Sequence, residues 1–130
     1  MGAYKKDIYT EEQAQIADIF KALSNPARLA ILENLMLTDN KQFGGLVNTI
    51  DLSPSTISYH IQELSSVGLL GVSEDDKKSC SMNVLEEPLN VIVKYCNDAI
   101  EEIEKEGLEF EFLCVAQYKF YIKKVKFKES

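Results

Sequence analysis

The sequence predicts a mainly helical α+β fold carrying one small β-hairpin, on three observations. Apolar residues return at helical spacing from Ile16 to Leu64, alternate like a strand from Leu69, and turn helical again after Pro88. Cap residues mark the joints: Thr10, Asn25 and Ser53 each precede a helical segment, and Pro26 and Pro54 follow two of them. A chain of 130 residues, 45% of them hydrophobic, is long and apolar enough to bury one core and is not a disordered chain.

Taken in order, Thr10-Glu11-Glu12-Gln13 fits a capping box, and Ile16, Ile19, Phe20 and Leu23 supply the buried side of a first helix. Asn25 caps a second helix with Pro26 at its first position, where the missing N–H leaves no bond unmade. Leu29, Ile31, Leu32, Leu35 and Met36 give that helix a broad buried stripe. A short third helix holds Phe43, Leu46, Val47 and Ile50, although Gly44 and Gly45 each cost it about 1 kcal/mol against Ala. Ser53-Pro54 repeats the cap-and-proline start, Ile57, Ile61 and Leu64 follow, and Gly68 is the stop. Leu69–Glu74 and Ser79–Val84 read as two strands around the polar turn Glu74-Asp75-Asp76-Lys77-Lys78. Pro88 opens a fifth helix, with Glu86 and Glu87 suited to its positive end. Val91, Ile92, Tyr95, Cys96, Ala99, Ile100 and Ile103 form its apolar face, too wide for the surface helix of a monomer, and Gly107 ends it. Beyond it Phe110, Phe112, Cys114, Ala116, Tyr118, Phe120 and Ile122 alternate like a strand, while Phe110, Leu113, Cys114, Gln117, Phe120 and Tyr121 fit a helix less cleanly. With no turn residue to divide it, this tail is read as a strand or a helix packed on a dimer surface.

Composition narrows the function. No apolar run approaches the roughly 20 residues of a membrane span, and the first thirteen residues carry two lysines with no apolar stretch behind them, which predicts no secretion leader. Three cysteines without a Cys-x-x-Cys spacing predict free thiols in a reduced cytoplasm. An enzyme is disfavoured: no Gly-rich phosphate loop follows a strand, and a single histidine, His60, cannot serve as both base and ligand. No cofactor is expected. The net charge of −7 argues against nucleic-acid binding by bulk charge, so its location matters. Residues 86–111 hold nine acids against two lysines, and residues 112–130 hold five lysines against one acid. The acidity therefore belongs to the closing helix, and beyond a Debye length of about 8 Å its carboxylates are largely screened.

Three helices, a recognition helix, a hairpin and a closing helix follow the order of a winged helix-turn-helix domain. Two stretches carry a resemblance to a family. Phe20-Lys-Ala-Leu-Ser-Asn-Pro-Ala-Arg-Leu-Ala-Ile-Leu32 resembles the opening signature of the arsenical-resistance-repressor (ArsR) regulators. Leu52-Ser-Pro-Ser-Thr-Ile-Ser-Tyr-His-Ile-Gln-Glu-Leu64, followed by Val67-Gly-Leu-Leu70, resembles their recognition helix and the start of the wing. The resemblance covers roughly residues 12–104 and implies a homodimeric repressor that reads double-stranded DNA. The domain then spans residues 1–107, including a closing dimerisation helix, and residues 108–130 are an extension.

On the recognition helix Ile57, His60, Ile61 and Leu64 share one face and should pack on the core. That leaves Ser55, Thr56, Ser58, Tyr59 and Gln62 for base edges and phosphates, which hydroxyls, an amide and an aromatic ring suit. A plainer reading takes the Ser/Thr-rich start as a helix cap. Gln62 and Ser65 stand where relatives often carry basic residues. Lys77 and Lys78 on the wing are the nearest phosphate contacts, or simply part of a solvated turn. The tail lysines Lys119, Lys123, Lys124, Lys126 and Lys128 could reach DNA, but the leading reading is that they neutralise the acidic closing helix of the same or the partner subunit.

The metal-sensing motif of the family falls at Lys41-Gln-Phe-Gly-Gly-Leu46, which has no cysteine, and its second site uses a histidine that the closing helix lacks. Cys80, Cys96 and Cys114 remain as weak candidates for a soft ion, at separations matching no compact metal motif. The leading reading for them is small buried apolar residues, ahead of a thiol switch. The effector is left open. His60 reads as a hydrogen-bonded packing residue, and the aromatic residues of 108–127 as a dimer core. A second function class stands beside the first: a winged-helix protein-interaction module that has lost DNA binding, suggested by the acidic balance.

Overall fold

The computed structural model describes residues 8–39, 41–74, 80–105, 108–115 and 120–127. Backbone contacts group the chain into two units, residues 1–92 and 93–130.

Helix α1 (Glu11–Leu23) starts as its sequence requires. The Thr10 hydroxyl accepts from the Gln13 amide at 3.0 Å, and the Gln13 side chain accepts from the Thr10 amide at 3.0 Å. Helix α2 (Pro26–Leu37) follows after two residues, its first amides served by Asn25, whose side chain accepts from Ala27 N at 2.8 Å. The buried stripe of α2 is narrower than the sequence pattern suggests. Ile31, Leu32 and Leu35 are buried, whereas Leu29 and Met36 are 44% and 52% exposed. At about 100° per residue, Arg28 falls inside the buried arc with Ile31 and Leu35, and Leu29 and Met36 fall outside it. A charged residue therefore occupies the place that apolar counting gave to leucine and methionine.

Helix α3 (Phe43–Thr49) tolerates its glycine pair, and helix α4 (Pro54–Ser66) is capped by Ser53, whose hydroxyl accepts from Thr56 N at 3.2 Å. Gly68 ends α4 with φ of +79°, a conformation that costs other L-residues about 1–2 kcal/mol. It turns the chain so that Leu69 N donates back to the Leu64 carbonyl at 3.0 Å. Strands β1 (Leu70–Glu74) and β2 (Cys80–Val84) pair antiparallel from Leu70↔Val84 to Glu74↔Cys80. On the far side of β2, Met82 N donates to the Lys41 carbonyl at 2.8 Å, and Gln42 bridges Ser81. The hairpin is thus tied to the connection between α2 and α3. The core of this unit joins Ile31 and Leu35 of α2, Leu46 of α3, Ile57 and Leu64 of α4, and Met82 of β2.

Helix α5 (Glu87–Lys105) begins with Pro88 buried and Leu89 packed against that core. Its later turns leave Val93, Tyr95, Cys96, Ile100 and Ile103 exposed. Lys94 pairs with Asp98, and Lys105 with Glu101 and Glu102, on the same helix. Gly107, the expected stop, lies outside the described residues. The tail differs from its expected single strand or helix. It forms two strands, β3 (Leu108–Val115) and β4 (Phe120–Phe127), antiparallel from Leu108↔Phe127 to Val115↔Phe120. The stretch Ala116-Gln117-Tyr118-Lys119 between them contains no Gly, Pro or Asn, so composition gave no sign of the reversal. In this register Glu109 stands opposite Lys126 and Glu111 opposite Lys124.

Candidate nucleic-acid interface

Helix α4 divides into two sides by burial. Ile57, His60, Ile61 and Leu64 are buried, as their spacing predicts. Ser55, Ser58, Tyr59 and Gln62 are exposed and, at about 100° per residue, fall within one arc of roughly a quarter-turn. Thr56 lies at the edge of that arc and is half-buried. Its hydroxyl sits 2.8 Å from that of Ser53, and Ser55 Oγ sits 3.3 Å from the same oxygen. The first turn is thus a cap, and its outer side is open to solvent. No lysine or arginine stands on α4.

What holds the open face in place is a side chain that sequence reasoning overlooked. Arg28, buried on α2, donates from Nε to His60 Nδ1 at 3.1 Å, and its Nη1 reaches the carbonyls of Ala22 at 3.4 Å and Lys21 at 3.5 Å. One guanidinium therefore joins the end of α1, the start of α2 and the middle of α4. Its carbon also lies 5.8 Å from the centre of the Tyr59 ring, a distance at which cation and ring attract. The Tyr59 and His60 rings lie 5.4 Å apart, tilted by 57°. Because Nδ1 accepts, the neutral imidazole carries its proton on Nε2. Burial, and then the positive charge of Arg28, push the His60 pKa below its usual 6.5, against a smaller opposing pull from Glu63. The signal in the sequence was a lone arginine between apolar positions of a helix. Its partner lies 32 residues away, beyond any local pattern.

The remaining sequence candidates separate widely. Lys77 and Lys78 lie outside the described residues. Cys80 is the first residue of β2, opposite Glu74, and Cys114 lies on β3 opposite Tyr121. Cys96 is exposed on α5, which corrects its reading as a buried packing residue. The cause is the helix face it occupies, shared with the exposed Val93, Ile100 and Ile103. Among the described residues no three His, Cys, Asp or Glu side chains gather to hold a metal, and no helix is long and apolar enough to cross a membrane.

Comparison with known proteins follows the same lines. Residues 25–71 match the sequence model of a family described as bacterial regulatory protein, arsR family. That span runs from the cap of α2 through α4 into β1. A cadmium resistance transcriptional regulatory protein CadC homolog of Staphylococcus aureus is 30% identical over 73 residues, which are 56% of this chain and 60% of that protein. The chain thus spans less than two thirds of the length of this relative. Among solved structures, an ArsR-like transcriptional regulator from Rhodococcus sp. RHA1 superposes with a TM-score of 0.64 at 24% identity, over 72% of this chain and 86% of that one. A homodimeric winged helix-turn-helix DNA-binding domain from Mycobacterium bovis, described as a possible ArsR-family regulator, gives 0.56 at 22% identity, over 83% of this chain and 94% of that one. In its helix-turn-helix segment and in its fold, the chain is similar to the ArsR-family winged helix-turn-helix regulators, as its sequence predicts.

Proposed function

We propose that the protein is a homodimeric DNA-binding transcriptional regulator, a repressor, that reads an operator major groove with α4. The observation that carries this reading is the exposed arc of Ser55, Ser58, Tyr59 and Gln62, backed by a fully packed opposite side. Hydroxyls and an amide bond base edges in either donor sense, and the arc is about as wide as a helix face that enters the groove. Lys77 and Lys78 are assigned phosphate contact, and Thr56 divides its hydroxyl between cap and backbone. The chain acts without enzymatic chemistry. Residues 1–107 form the DNA-binding domain with its closing helix, and 108–130 the extension.

The partner subunit is assigned to α5. Val93, Ile100 and Ile103 are each about half exposed, and with Cys96 they recur at steps of three and four, the spacing of a helix seam. The Mycobacterium bovis protein of similar fold is described as homodimeric, which agrees.

A gel shift with the DNA upstream of the protein's own gene, run with and without reductant and metal ions, tests the reading. A shift in at least one condition, weakened in Tyr59→Ala, is the expected outcome. No shift in any condition, together with a co-purifying protein, would establish the interaction-module alternative instead.

A further inference from the structure

Between α3, α4 and the hairpin runs an open groove of about 510 Å³. Phe43, Val72 and Met82 line it from α3, β1 and β2, and Ser58, Gln62 and Ser65 from α4. Its volume lies within the usual range for small-molecule pockets, and its walls have the usual character, largely apolar with a few polar groups. A second observation points to an occupant. The Ser65 hydroxyl, which belongs to this lining, is covered from solvent and has no hydrogen-bond partner among the described residues. Its neighbour Ser66 differs, since its hydroxyl donates to the Glu63 carbonyl at 2.7 Å. Covered hydroxyls are normally satisfied, so an orphan at the edge of an apolar hollow suits the polar atom of a bound molecule.

We propose that this groove is a binding site for a small, neutral, mainly apolar molecule bearing one hydrogen-bonding group, which meets Ser65 while its apolar body lies against Phe43, Val72 and Met82. Neutrality follows from the lining, which offers neither a cation nor an anion to pair a charged ligand. Ser58 and Gln62 belong to both the groove and the exposed arc of α4, so an occupant also covers part of the surface assigned to DNA. That regulatory consequence rests on the DNA-binding reading; the site itself does not.

The test uses the full chain and the neutral dye N-phenyl-1-naphthylamine, whose fused rings fit the hollow and whose single N–H can reach Ser65. Fluorescence should rise to saturation at one dye per chain, and amide shifts in NMR should centre on Phe43, Ser65, Val72 and Met82. Val72→Glu, at a position 45% exposed, should weaken the dye at least tenfold with an unchanged melting temperature. Ser65→Leu, which fills the hollow, should do the same and serves if the first variant fails to fold. Shifts confined to α5 or the tail, or equal dye affinity in the folded variant, overturn the site. Saturating dye should raise the operator Kd at least fivefold, and dye binding with undiminished operator affinity overturns the coupling. A chain that takes the dye yet shifts no DNA overturns the DNA reading and leaves the groove standing.

Discussion

At the scale of single residues, Arg28 and His60 set the terms for pH. His60 is neutral in the fold, and its pKa lies below the 6.5 of the unfolded chain, so as pH falls the unfolded chain takes up the proton first. The stability from the neutral imidazole is complete above about 6.5 and is lost as pH falls from there through the folded pKa. Urea unfolding of the parent should show this decline above the carboxylate range, which centres near pH 4. His60→Gln keeps an acceptor for Arg28 and cannot titrate, so its stability should stay flat over the same interval. The two sides of α4 make a second residue-scale prediction. Tyr59→Ala should weaken operator binding by about 1–3 kcal/mol, the scale of a good base contact. It should cost the fold no more than about 1 kcal/mol, through the lost stacking on Arg28. Leu64→Ala should destabilise by about 3–5 kcal/mol, and Ile61→Ala by nearer 2 kcal/mol, because Ile61 borders the open groove and its cavity can fill from outside. Thermal melts and gel shifts on the same preparations separate these outcomes. Burial on α4 was legible from the steps between Ile57, Ile61 and Leu64. The Arg28 clamp was not, since it depends on which way α2 turns.

At the scale of elements, the boundaries were largely written in cap chemistry. Thr10, Asn25 and Ser53 each cap the helix expected of them. Their signals are local, a short side chain reaching an amide two or three residues on, and no tertiary contact is needed to read them. Gly68 is of the same kind. Replacing it by Ala forces an L-residue into positive φ, while the added methyl meets only Pro88 Cγ at an ordinary 3.6 Å. The expected loss is about 1–2 kcal/mol of backbone strain with no steric clash, measurable as a lowered urea midpoint at unchanged slope. The tail is the contrary case. Its alternating pattern runs through β3 and β4 alike, and period two fixes which residues share a face but says nothing of where a chain reverses. Only the strand register, which sets Glu109 opposite Lys126 and Glu111 opposite Lys124, shows where the reversal falls.

At the scale of the whole molecule, charge and assembly meet. The proposed reading helix has no cation, so a dimer bound to its operator should neutralise few phosphates. Each phosphate contact contributes about −0.9 to the slope of log affinity against log salt, and the slope here should be shallow. A steep slope would mean that lysines outside α4 dominate binding. Ile100→Glu places a charge within the exposed stripe of α5 and should shift sedimentation from dimer to monomer, with the far-ultraviolet circular dichroism retained. A parent that sediments as monomer at micromolar concentration removes the dimer from the proposal. Cys96, Ile100 and Ile103 of this stripe were plain in the sequence, because an apolar face on an acidic helix stands out against its surroundings. Val93 lies outside the expected face, whereas Val91, Ile92 and Ala99, expected on it, are half-buried.

The hydrogen bond from Met82 to the carbonyl of Lys41 has a kinetic consequence. A two-stranded hairpin alone frays quickly, and its amides trade protons with solvent at nearly the rate of a free peptide. Met82 is 1% exposed and its amide is bonded outside the hairpin, so its proton leaves only when the link to the α2–α3 connection opens. In deuterated water the Met82 amide should be the slowest clock in the wing, outlasting Val72 by at least tenfold. Equal lifetimes would show that the wing opens as one piece and that its anchor gives way with it.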